Sequence, residues 1–441
     1  MNHRLLVLLS VLATIAPAAL FAGPAEKDDD WFGQRLGSLV TLYQDLHAHP
    51  ELSFQERNTA KRVADELRAA GAEVTEGVGG FGVVGILRNG ARPVVLVRSD
   101  LDALPVREET GLPFASEAEA TDREGKRVGV MHACGHDVHM TCLVGTARWL
   151  NDHRDRWSGT VVLIGQPAEE AVSGAKAMLA DGLYRRFPRP DKALALHVTN
   201  DEPSDVVTYT MGPAFASSTS VDVTIRGRGG HGAAPHLTVD PIVLSALVIL
   251  DLQTIVSREV DPVQPAVVTV GSIHGGSKHN IISDAVALQL TLRAYDEDVR
   301  DQLIEGIKRR IKGLALAHKA PEPSFAIAET TPPTLNTPEL VTSVLPALKR
   351  ELGDAKVREV PPVMGAEDFG LFSSGGVPTF MFRVGTVPPE RFEAALEKDE
   401  KLPSLHSSKF APDAPTSVRT GIRAMTSAVV SLLPPAPSRS R

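Results

Sequence analysis

The sequence lacks any sustained run of basic residues, and its charged residues are in slight acidic excess. Its 441 residues include 46 lysines and arginines against 54 aspartates and glutamates, which gives a net charge of −8. A nucleic-acid-binding surface needs clustered positive charge, so this balance argues against a nucleic-acid partner. The apolar share of 43% and the charged share of 23% are ordinary for a globular protein.

Cysteine is also scarce, since Cys134 and Cys142 are the only two in the chain. An exported protein often pairs its cysteines. These two lie eight residues apart in a stretch that is predicted to turn into a helix, which would hold them more than about 7 Å apart. We therefore expect no disulfide, with Cys134 free to bind a metal and Cys142 buried.

Long apolar runs are confined to the N-terminus. A short positive start is followed by the nearly uninterrupted apolar residues 5–21, and then by small residues with cleavage positions near Ala22 or Ala25. This layout is typical of a secretory signal peptide. A membrane anchor is disfavoured by Pro17 and by a run shorter than the roughly 20 residues that span a bilayer. We expect residues 1–25 to be removed and the protein to be exported, periplasmic or secreted. No later segment is expected to be long and apolar enough to cross a bilayer, so we expect no stable membrane anchor.

The first half of the chain alternates helices with buried strands. Ser53 to Glu56 matches a capping box, which predicts a helix continuing to about Ala70. Strands are predicted at residues 82–87, 94–98 and 160–164, and a helix at 138–151. This alternation predicts an α/β domain with a mostly parallel sheet flanked by helices.

The pattern changes near Gly212. Strands are predicted at residues 220–226, 266–273, 285–295 and 324–329, with helices at 241–259 and 298–317. Four strands and two helices in β-α-β-β-α-β order indicate a compact two-layer α+β unit. The α/β character then returns with a helix at 338–351 and a strand at 379–384. We therefore predict a domain at 214–332 inserted into a larger domain that comprises residues 26–213 and 333–435.

Five islands of ionisable residues fall at predicted strand ends and loops, where α/β proteins place their sites. They are residues 99–102, residues 132–139, Glu169-Glu170, His197 and His406. Each has an ordinary structural explanation: Asp102 could cap a turn, the glutamates could begin a helix, and a lone histidine is more often packed than a ligand. Together, however, thiol, imidazole and carboxylate are the groups that bind first-row divalent metals.

These residues resemble a known family. The chain is similar to the aminoacylase, hippurate hydrolase and indoleacetyl-amino-acid hydrolase group of two-metal amidohydrolases, relatives of carboxypeptidase G, from about Trp31 to Leu433. The motifs that carry this resemblance are Asp45-Leu46-His47-Ala48-His49-Pro50-Glu51-Leu52, Arg98-Ser99-Asp100-Leu101-Asp102-Ala103-Leu104-Pro105, residues 132–139, Gln166-Pro167-Ala168-Glu169-Glu170, Leu196-His197, Gly229-Gly230-His231-Gly232-Ala233-Ala234-Pro235, Glu367-Asp368-Phe369 and Leu405-His406. Eight motifs in the same order are specific, whereas any one alone is weak.

The resemblance implies a set of metal ligands and a general base. It places two divalent ions, zinc or manganese with cobalt and nickel as alternatives, on five ligands: Cys134, His136, Glu170, His197 and His406. Cys134 would lie in or near the bridging position. Glu169 would be the general base that takes a proton from the attacking water and passes it to the leaving amine. Asp102 would orient a ligand histidine.

Three histidines and one aspartate near these motifs have other expected roles. The resemblance excludes His132 and His139 as ligands and leaves them structural or supporting roles, although their spacing makes them as eligible as Cys134 and His136. Asp100 stands where related peptidases carry a metal-binding histidine, so no role is assigned to it. His231 matches a histidine that donates to the developing oxyanion.

The resemblance also implies a lid and a substrate contact. The inserted domain would be a lid and dimerisation domain, and in dimeric relatives the histidine that His231 matches reaches the neighbouring subunit's site, which predicts a homodimer. Asn280 and Arg293 resemble positions that hold the substrate's carboxylate, a task that suits a guanidinium. Residues 281–283 lack the family's usual proline, and residues 171–174 have fewer glycines than usual.

The function expected from these observations is hydrolysis of an N-acyl-amino acid or a short peptide, a small-molecule substrate, with release of a free amino acid. N-carbamoyl hydrolysis and dipeptidase activity are alternatives on the same scaffold. A non-enzymatic alternative is a binding protein that has lost catalysis, but the five ligands and the base are all present.

Overall fold

A computed structural model describes residues 24–435 of the chain. Side chains are described for residues 30–435, except those of residues 328–330. The predicted signal peptide lies outside this range apart from its last two residues. The helices in this part of the chain are α1 (Pro24–Ala48), α2 (Arg57–Ala69), α3 (His136–Asp152), α4 (Gly174–Ala180), α5 (Leu183–Arg186), α6 (Pro241–Arg258), α7 (Glu297–Ala317), α8 (Pro338–Leu352), α9 (Pro389–Glu397) and α10 (Ala414–Leu432).

The strands form one large sheet and several small ones. In chain order they are β1 (Glu73–Val78), β2 (Gly82–Arg88), β3 (Val94–Asp100), β4 (Glu119–Thr121), β5 (Arg127–Gly129), β6 (Thr160–Gln166), β7 (Lys192–Pro203), β8 (Val207–Tyr209), β9 (Gly212–Phe215), β10 (Ser218–Arg226), β11 (Gly230–His231), β12 (Ala266–Gly275), β13 (Ile281–Ile282), β14 (Ala285–Ala294), β15 (Ser324–Thr331), β16 (Thr334–Asn336), β17 (Val357–Glu359) and β18 (Thr379–Val387).

The large sheet has eight strands in the order β1-β2-β6-β3-β7-β18-β8-β17. Its central strands β6, β3, β7 and β18 run parallel to one another, while β2 and β8 join them antiparallel on either side. Strands β3 and β6 are buried throughout, as expected of a sheet covered on both faces. The structure therefore confirms the predicted α/β class with a largely parallel central sheet.

Helices cover both faces of this sheet. On one face α1, α3, α8 and α10 share an apolar core with the sheet, in which Leu39, Val144 and Ile422 are fully buried. On the other face α4 and the segment Asp368–Ser373 pack around Met178 and Phe369. Because both faces are covered, the parallel strands leave only their ends for polar chemistry.

A four-stranded antiparallel sheet, in the order β12-β14-β10-β15, forms a second layered unit with α6 and α7. Its own core contains buried residues of both helices, such as Val248 and Leu303. All of its strands and helices fall within the predicted insertion and follow the predicted β-α-β-β-α-β order. Strands β9 and β16, which flank the unit in sequence, pair with each other.

Two expectations about helices are corrected. No capping box opens α2: the helix begins at Arg57, Glu56 makes no side-chain cap, and Ser53 Oγ instead donates to Asp102 Oδ2 at 2.6 Å. In addition, α6 is long and apolar enough to cross a membrane by length and composition, contrary to the expectation that no later segment would be. Its Leu244, Val248, Leu252 and Ile255 pack into the core of the small sheet.

Candidate metal centre

The ionisable islands converge at the carboxyl ends of the central parallel strands. Asp100 ends β3, Glu169 and Glu170 follow β6, and His197 lies on β7. His136 begins α3, whose first turn lies against these strand ends, and His406 lies in the loop before α10. Parallel neighbours bring their ends to one edge of the sheet, so residues far apart in sequence meet there.

Two groups of side chains that could hold a metal ion share Cys134. One comprises Cys134, His136 and His197, the other Cys134, Glu170 and His406, and within each group the ligand atoms lie within 4.8 Å of one another. Cys134 Sγ is 3.5 Å from His197 Nε2 and 3.3 Å from His406 Nε2. Five side chains arranged as two triads with one common thiol match the expected set of ligands for two ions.

Two of the histidines are held in the tautomer that a metal ligand needs. His136 Nδ1 lies 2.7 Å from the main-chain oxygen of Asp102, and His197 Nδ1 lies 2.7 Å from that of Val198. A carbonyl oxygen can only accept, so each Nδ1 carries a proton, and Nε2 is the ring nitrogen that can face a metal.

Asp102 contacts the histidine through its main chain. Its main-chain oxygen, rather than its carboxylate, holds His136 at hydrogen-bond distance; Asp102 Oδ1 is 3.6 Å from His136 Nδ1. The carboxylate instead accepts the backbone N–H groups of Glu169 and Glu170, each at 3.0 Å. Asp102 thus fixes one ligand histidine and both glutamates.

The loop that carries the two glutamates is conformationally strained. Ala168 has φ of 50° and Val172 has φ of 50°, a left-handed conformation that is unfavourable for residues with a Cβ and more so for a β-branched one. Glu56 Oε1 accepts from the Ala168 N–H at 2.8 Å, which helps to hold the loop. His406 also adopts a positive φ of 65°, so strain collects at both ligand-bearing loops.

His139 and His132 are buried but have different surroundings. His139 Nδ1 lies 2.7 Å from Asp100 Oδ1, and its Nε2 accepts the Val198 N–H at 2.9 Å, so neither nitrogen is free for a metal. His132 belongs to none of the candidate ligand groups of the described residues, and neither of its ring nitrogens has a hydrogen-bond partner there. Burial lowers the pKa of His132 to about 4, so it is neutral.

A buried ionic cluster lies beneath the site. The Arg98 guanidinium donates to Asp100 Oδ2 at 2.8 Å, to Glu367 Oε1 at 2.7 Å and to Asp368 Oδ1 at 3.1 Å. Glu367 and Asp368 also approach Glu169 closely enough to form a candidate cation site, but Arg98 already supplies the cation there. Asp100 therefore binds Arg98 and His139 through its carboxylate. Arg98 is a site residue to which the motifs assigned no role.

The site gathers more acidic groups than its fixed cation neutralises. Burial, reinforced by Glu367 and Glu170, raises the pKa of the Glu169 carboxyl well above its usual range. Burial likewise raises the pKa of Glu170 to about 7 and that of the Cys134 thiol well above its usual value. Crowded anionic groups of this kind become stable in their charged forms when divalent cations lie between them.

The donor atoms themselves also fit metal ions. Among the described residues, His136 Nε2 and Glu170 Oε1 are buried without a hydrogen-bond partner. Buried polar atoms are seldom left unpaired, and both of these belong to the proposed ligand set. Both cysteines are free and buried, which confirms that no disulfide removes the Cys134 thiol.

A cavity of about 480 Å³ opens over the ligands. Glu169, Phe215 and Arg293 are among its lining residues, and Arg383 is a lining residue for which the motifs gave no indication. Neither His231 nor Asn280 lines it. Both are exposed and neighbours of each other, since the Gly232 N–H donates to the Asn280 main-chain oxygen at 2.9 Å.

The sequence matches a described enzyme family. The model of peptidase family M20/M25/M40 matches residues 96–413, which include all five candidate ligands. Thermostable carboxypeptidase 1 of Saccharolobus solfataricus is 37% identical over 390 residues, which cover 87% of this chain and 91% of that protein. The hippurate hydrolase of Campylobacter jejuni is 38% identical over 338 residues, covering 76% of this chain and 85% of that protein.

A solved structure supports the same relationship. A dinuclear metal-binding peptidase of the M20 family from Bacillus subtilis superposes with a TM-score of 0.73 at 27% sequence identity. The superposition covers 91% of this chain and 99% of that one. The likeness therefore extends over both the large sheet and the inserted unit.

Proposed function

Because this chain belongs to peptidase family M20/M25/M40 and is a metal-dependent amidohydrolase, we propose that it cleaves the amide bond of N-acyl-amino acids or short peptides and releases a free amino acid. The observation that carries the proposal is the pair of ligand triads sharing Cys134, with Glu169 beside them in the same cavity. Hippurate, the substrate in the name of one relative, is such an N-acyl-amino acid.

Glu169 is the proposed general base. Two divalent ions held by Cys134, His136, Glu170, His197 and His406 would supply Lewis acidity at the amide carbonyl and at the attacking water. Glu169 Oε2 lies 3.9 Å from His136 Nε2, next to the ligands and outside both ligand triads. Its buried carboxylate would take the proton from the attacking water and deliver it to the departing amine nitrogen. The raised pKa favours holding that proton between the two steps.

Arg293 is the proposed partner of the substrate's free carboxylate. It lines the cavity from β14 of the inserted unit, and its Nη1 is buried without a hydrogen-bond partner. Asn280 and His231 would assist from a second subunit, because both lie outside this chain's own cavity. His231 would then donate to the oxyanion that forms as water attacks the carbonyl.

A homodimer would supply that second subunit. The outer face of α6 exposes Val243, Leu247 and Leu250, and the neighbouring β12 is an edge strand of the small sheet. An apolar face beside an unpaired strand edge suits association with an identical face. This outward face is also the reason why α6 is apolar enough to resemble a membrane span.

The ion identity and the cellular location are parts of the proposal that rest on composition. One thiol and three imidazoles suit zinc, cobalt or nickel, and the carboxylate also suits manganese. The apolar residues 5–21 would direct export, so that the mature protein works in the periplasm or outside the cell without a stable membrane anchor.

The proposed base is tested by Glu169→Gln in the metal-loaded protein, assayed on N-acetyl-, N-benzoyl- and N-carbamoyl-amino acids and on dipeptides. We expect the rate on the best substrate to fall by about 10²- to 10⁴-fold, because proton transfer is lost while the metal ligands remain. Bound metal, measured by mass spectrometry, should stay at two ions per chain.

Glu390→Gln is the matched control, since Glu390 is an exposed acid on α9 that does not line the cavity. It should retain the parent rate. A Glu169→Gln enzyme as fast as the parent would refute the assignment of the base. Unchanged activity after complete chelation would refute metal-dependent hydrolysis.

A further inference from the structure

Arg383 is the one charged residue of β18, a strand whose other residues are all buried. Strand β18 lies in the middle of the large sheet, between β7 and β8. A guanidinium in such a place loses part of its hydration, which is unfavourable unless another group compensates. Burial accordingly lowers the pKa of Arg383.

The surrounding protein compensates this charge only weakly. Arg383 makes one long hydrogen bond, from Nη2 to the main-chain oxygen of Pro361 at 3.5 Å. Among the side chains that the structure describes, no carboxylate oxygen lies within 4.0 Å of it. Glu202 is nearby but pairs with Arg358 at 3.1 Å, and Asp201 is exposed to solvent.

The strand register places Arg383 beside the metal ligands. Arg383 is the direct neighbour of His197 in the parallel pairing of β18 with β7. Residues paired in this way project from the same face of a sheet, so the Arg383 and His197 side chains point to one side. Both line the cavity over the metal centre.

The cavity therefore contains two guanidiniums, from Arg293 and Arg383. Arg293 Nη1 is buried without a partner among the described residues, so each of the two has donor capacity that the protein leaves unused. A single carboxylate is satisfied by one guanidinium in bidentate geometry. The second guanidinium thus has no assigned ligand if the substrate carries one anionic group.

We propose that Arg383 is a specificity-determining residue that binds a second anionic group of the substrate, so that preferred substrates are N-acyl-amino acids with two carboxylates. The inference rests on the proposed function for the reaction and adds the substrate class. The second carboxylate belongs either to the side chain of an acidic amino acid or to a dicarboxylic acyl group. Asp201 also lines the cavity, and its carboxylate would favour a substrate with a cationic side chain. That substrate class is the alternative that the test must exclude.

The test compares isosteric substrates of the metal-loaded enzyme. N-acetyl-glutamate is paired with N-acetyl-glutamine, and N-succinyl-leucine with its succinamide analogue, while N-acetyl-lysine represents the cationic class. In at least one pair we expect kcat/KM to be higher for the dianion by about tenfold or more, as for a charge-assisted hydrogen bond. In Arg383→Met this ratio should fall to about one, and Arg383→Lys should restore part of it.

Arg358→Met is the matched control, because Arg358 is a cation near Glu202 that lies outside the cavity. It should keep the preference of the parent enzyme. A parent enzyme without preference in either pair, a preference for N-acetyl-lysine, or an undiminished ratio in Arg383→Met would each overturn the inference.

A binding measurement separates this inference from the proposed reaction. Glutarate should raise the melting temperature of the parent protein more than butyrate does at equal concentration, and Arg383→Met should abolish that difference. This result requires no turnover, so it is obtained even if no amide in the panel is hydrolysed. Equal effects of the two acids on the parent protein would refute the second anion site. Hydrolysis without dianion preference would leave the proposed reaction intact.

Discussion

Arg98 and Glu56 show how single buried charges shape the metal centre. Arg98 is fully buried and binds Asp100, Glu367 and Asp368, so one cation holds three acidic groups in fixed positions beneath the ligands. Glu56 has no such partner. Its Oε1 accepts from the Ala168 N–H, but its Oε2 is buried without a hydrogen bond among the described residues.

Glu56 predicts a pH dependence of stability. Burial, with the nearby charge of Asp102, raises its pKa from 4.5 to about 7. The folded protein therefore binds a proton that the unfolded chain releases, and this contribution is fully present below pH 4.5 and lost as pH rises through about 7. Glu56→Gln keeps an acceptor for Ala168 without the charge. Relative to the parent, the variant should gain about 3 kcal/mol in free energy of unfolding between pH 4.5 and pH 8.

Denaturant unfolding at a series of pH values measures this difference. Glu393→Gln, an exposed acid on α9, should follow the parent at every pH. If the difference between Glu56→Gln and the parent stayed constant with pH, the buried carboxyl would not be the titrating group.

At the scale of single residues, the sequence predicts the candidate metal ligands better than the buried charged residues around them. The candidate ligands Cys134, His136, Glu170, His197 and His406 followed from the family resemblance, and the structure brings them together. Arg98 lies in one of the motifs but received no role, and Arg383 was not singled out. Each is the lone cation of an apolar strand, a signal that marks a buried charge in need of an anion. The anion that each arginine binds is determined by contacts between segments distant in sequence, and no local sequence pattern predicts those contacts.

At the scale of structural elements, the loop from Pro167 to Gly174 is tightly constrained. A Cβ at Gly174 would lie 1.5 Å from the Pro167 main-chain oxygen, so only glycine fits there without moving the backbone. The loop carries both glutamates, and its strain at Ala168 and Val172 is held by hydrogen bonds to Asp102 and Glu56.

Gly174→Ala should therefore weaken metal binding as well as folding. The added methyl group displaces the loop, which should reduce the free energy of unfolding by about 1–3 kcal/mol and misplace Glu170. Calorimetric metal titration should show lower affinity, and denaturant unfolding should show the lost stability. In contrast, Gly33→Ala in α1 meets no atom within 4 Å and should be neutral or stabilising by about 0.5–1 kcal/mol. Parent-like metal affinity in Gly174→Ala would contradict this account of the loop.

Element positions were predicted well where periodicity is strong, as in β3, β6 and α7. The start of α2 was not, because the capping-box pattern at Ser53 to Glu56 is local whereas the hydrogen bonds of Ser53 and Glu56 are made to distant residues. Long-range contacts outweigh a local cap signal when they satisfy the same polar groups.

At the scale of the whole molecule, the exposed face of α6 predicts assembly. Leu250 on that face has 69% of its surface exposed, and Leu247 and Val243 flank it. If two copies associate through this face, Leu250→Lys should place charges in the interface and weaken the dimer by about 100-fold or more. Sedimentation at micromolar concentration should then show monomers.

Leu396→Lys is a closely matched control, since Leu396 is also 69% exposed but lies on α9. It should leave the oligomeric state unchanged. A parent protein that sediments as a monomer, or a Leu250→Lys protein that sediments as a dimer, would refute association through α6.

The insertion has a consequence for the order of folding during synthesis. Strand β18 lies in the middle of the large sheet beside β7, yet its first residue, Thr379, is 187 positions after Lys192, the first residue of β7. The inserted unit is contiguous and can fold as soon as it is made, whereas the large sheet must wait for a strand encoded near the end of the chain. A truncated chain that stops before Thr379 would expose the edge of β7 together with His197, so the metal centre can form only once translation is almost complete.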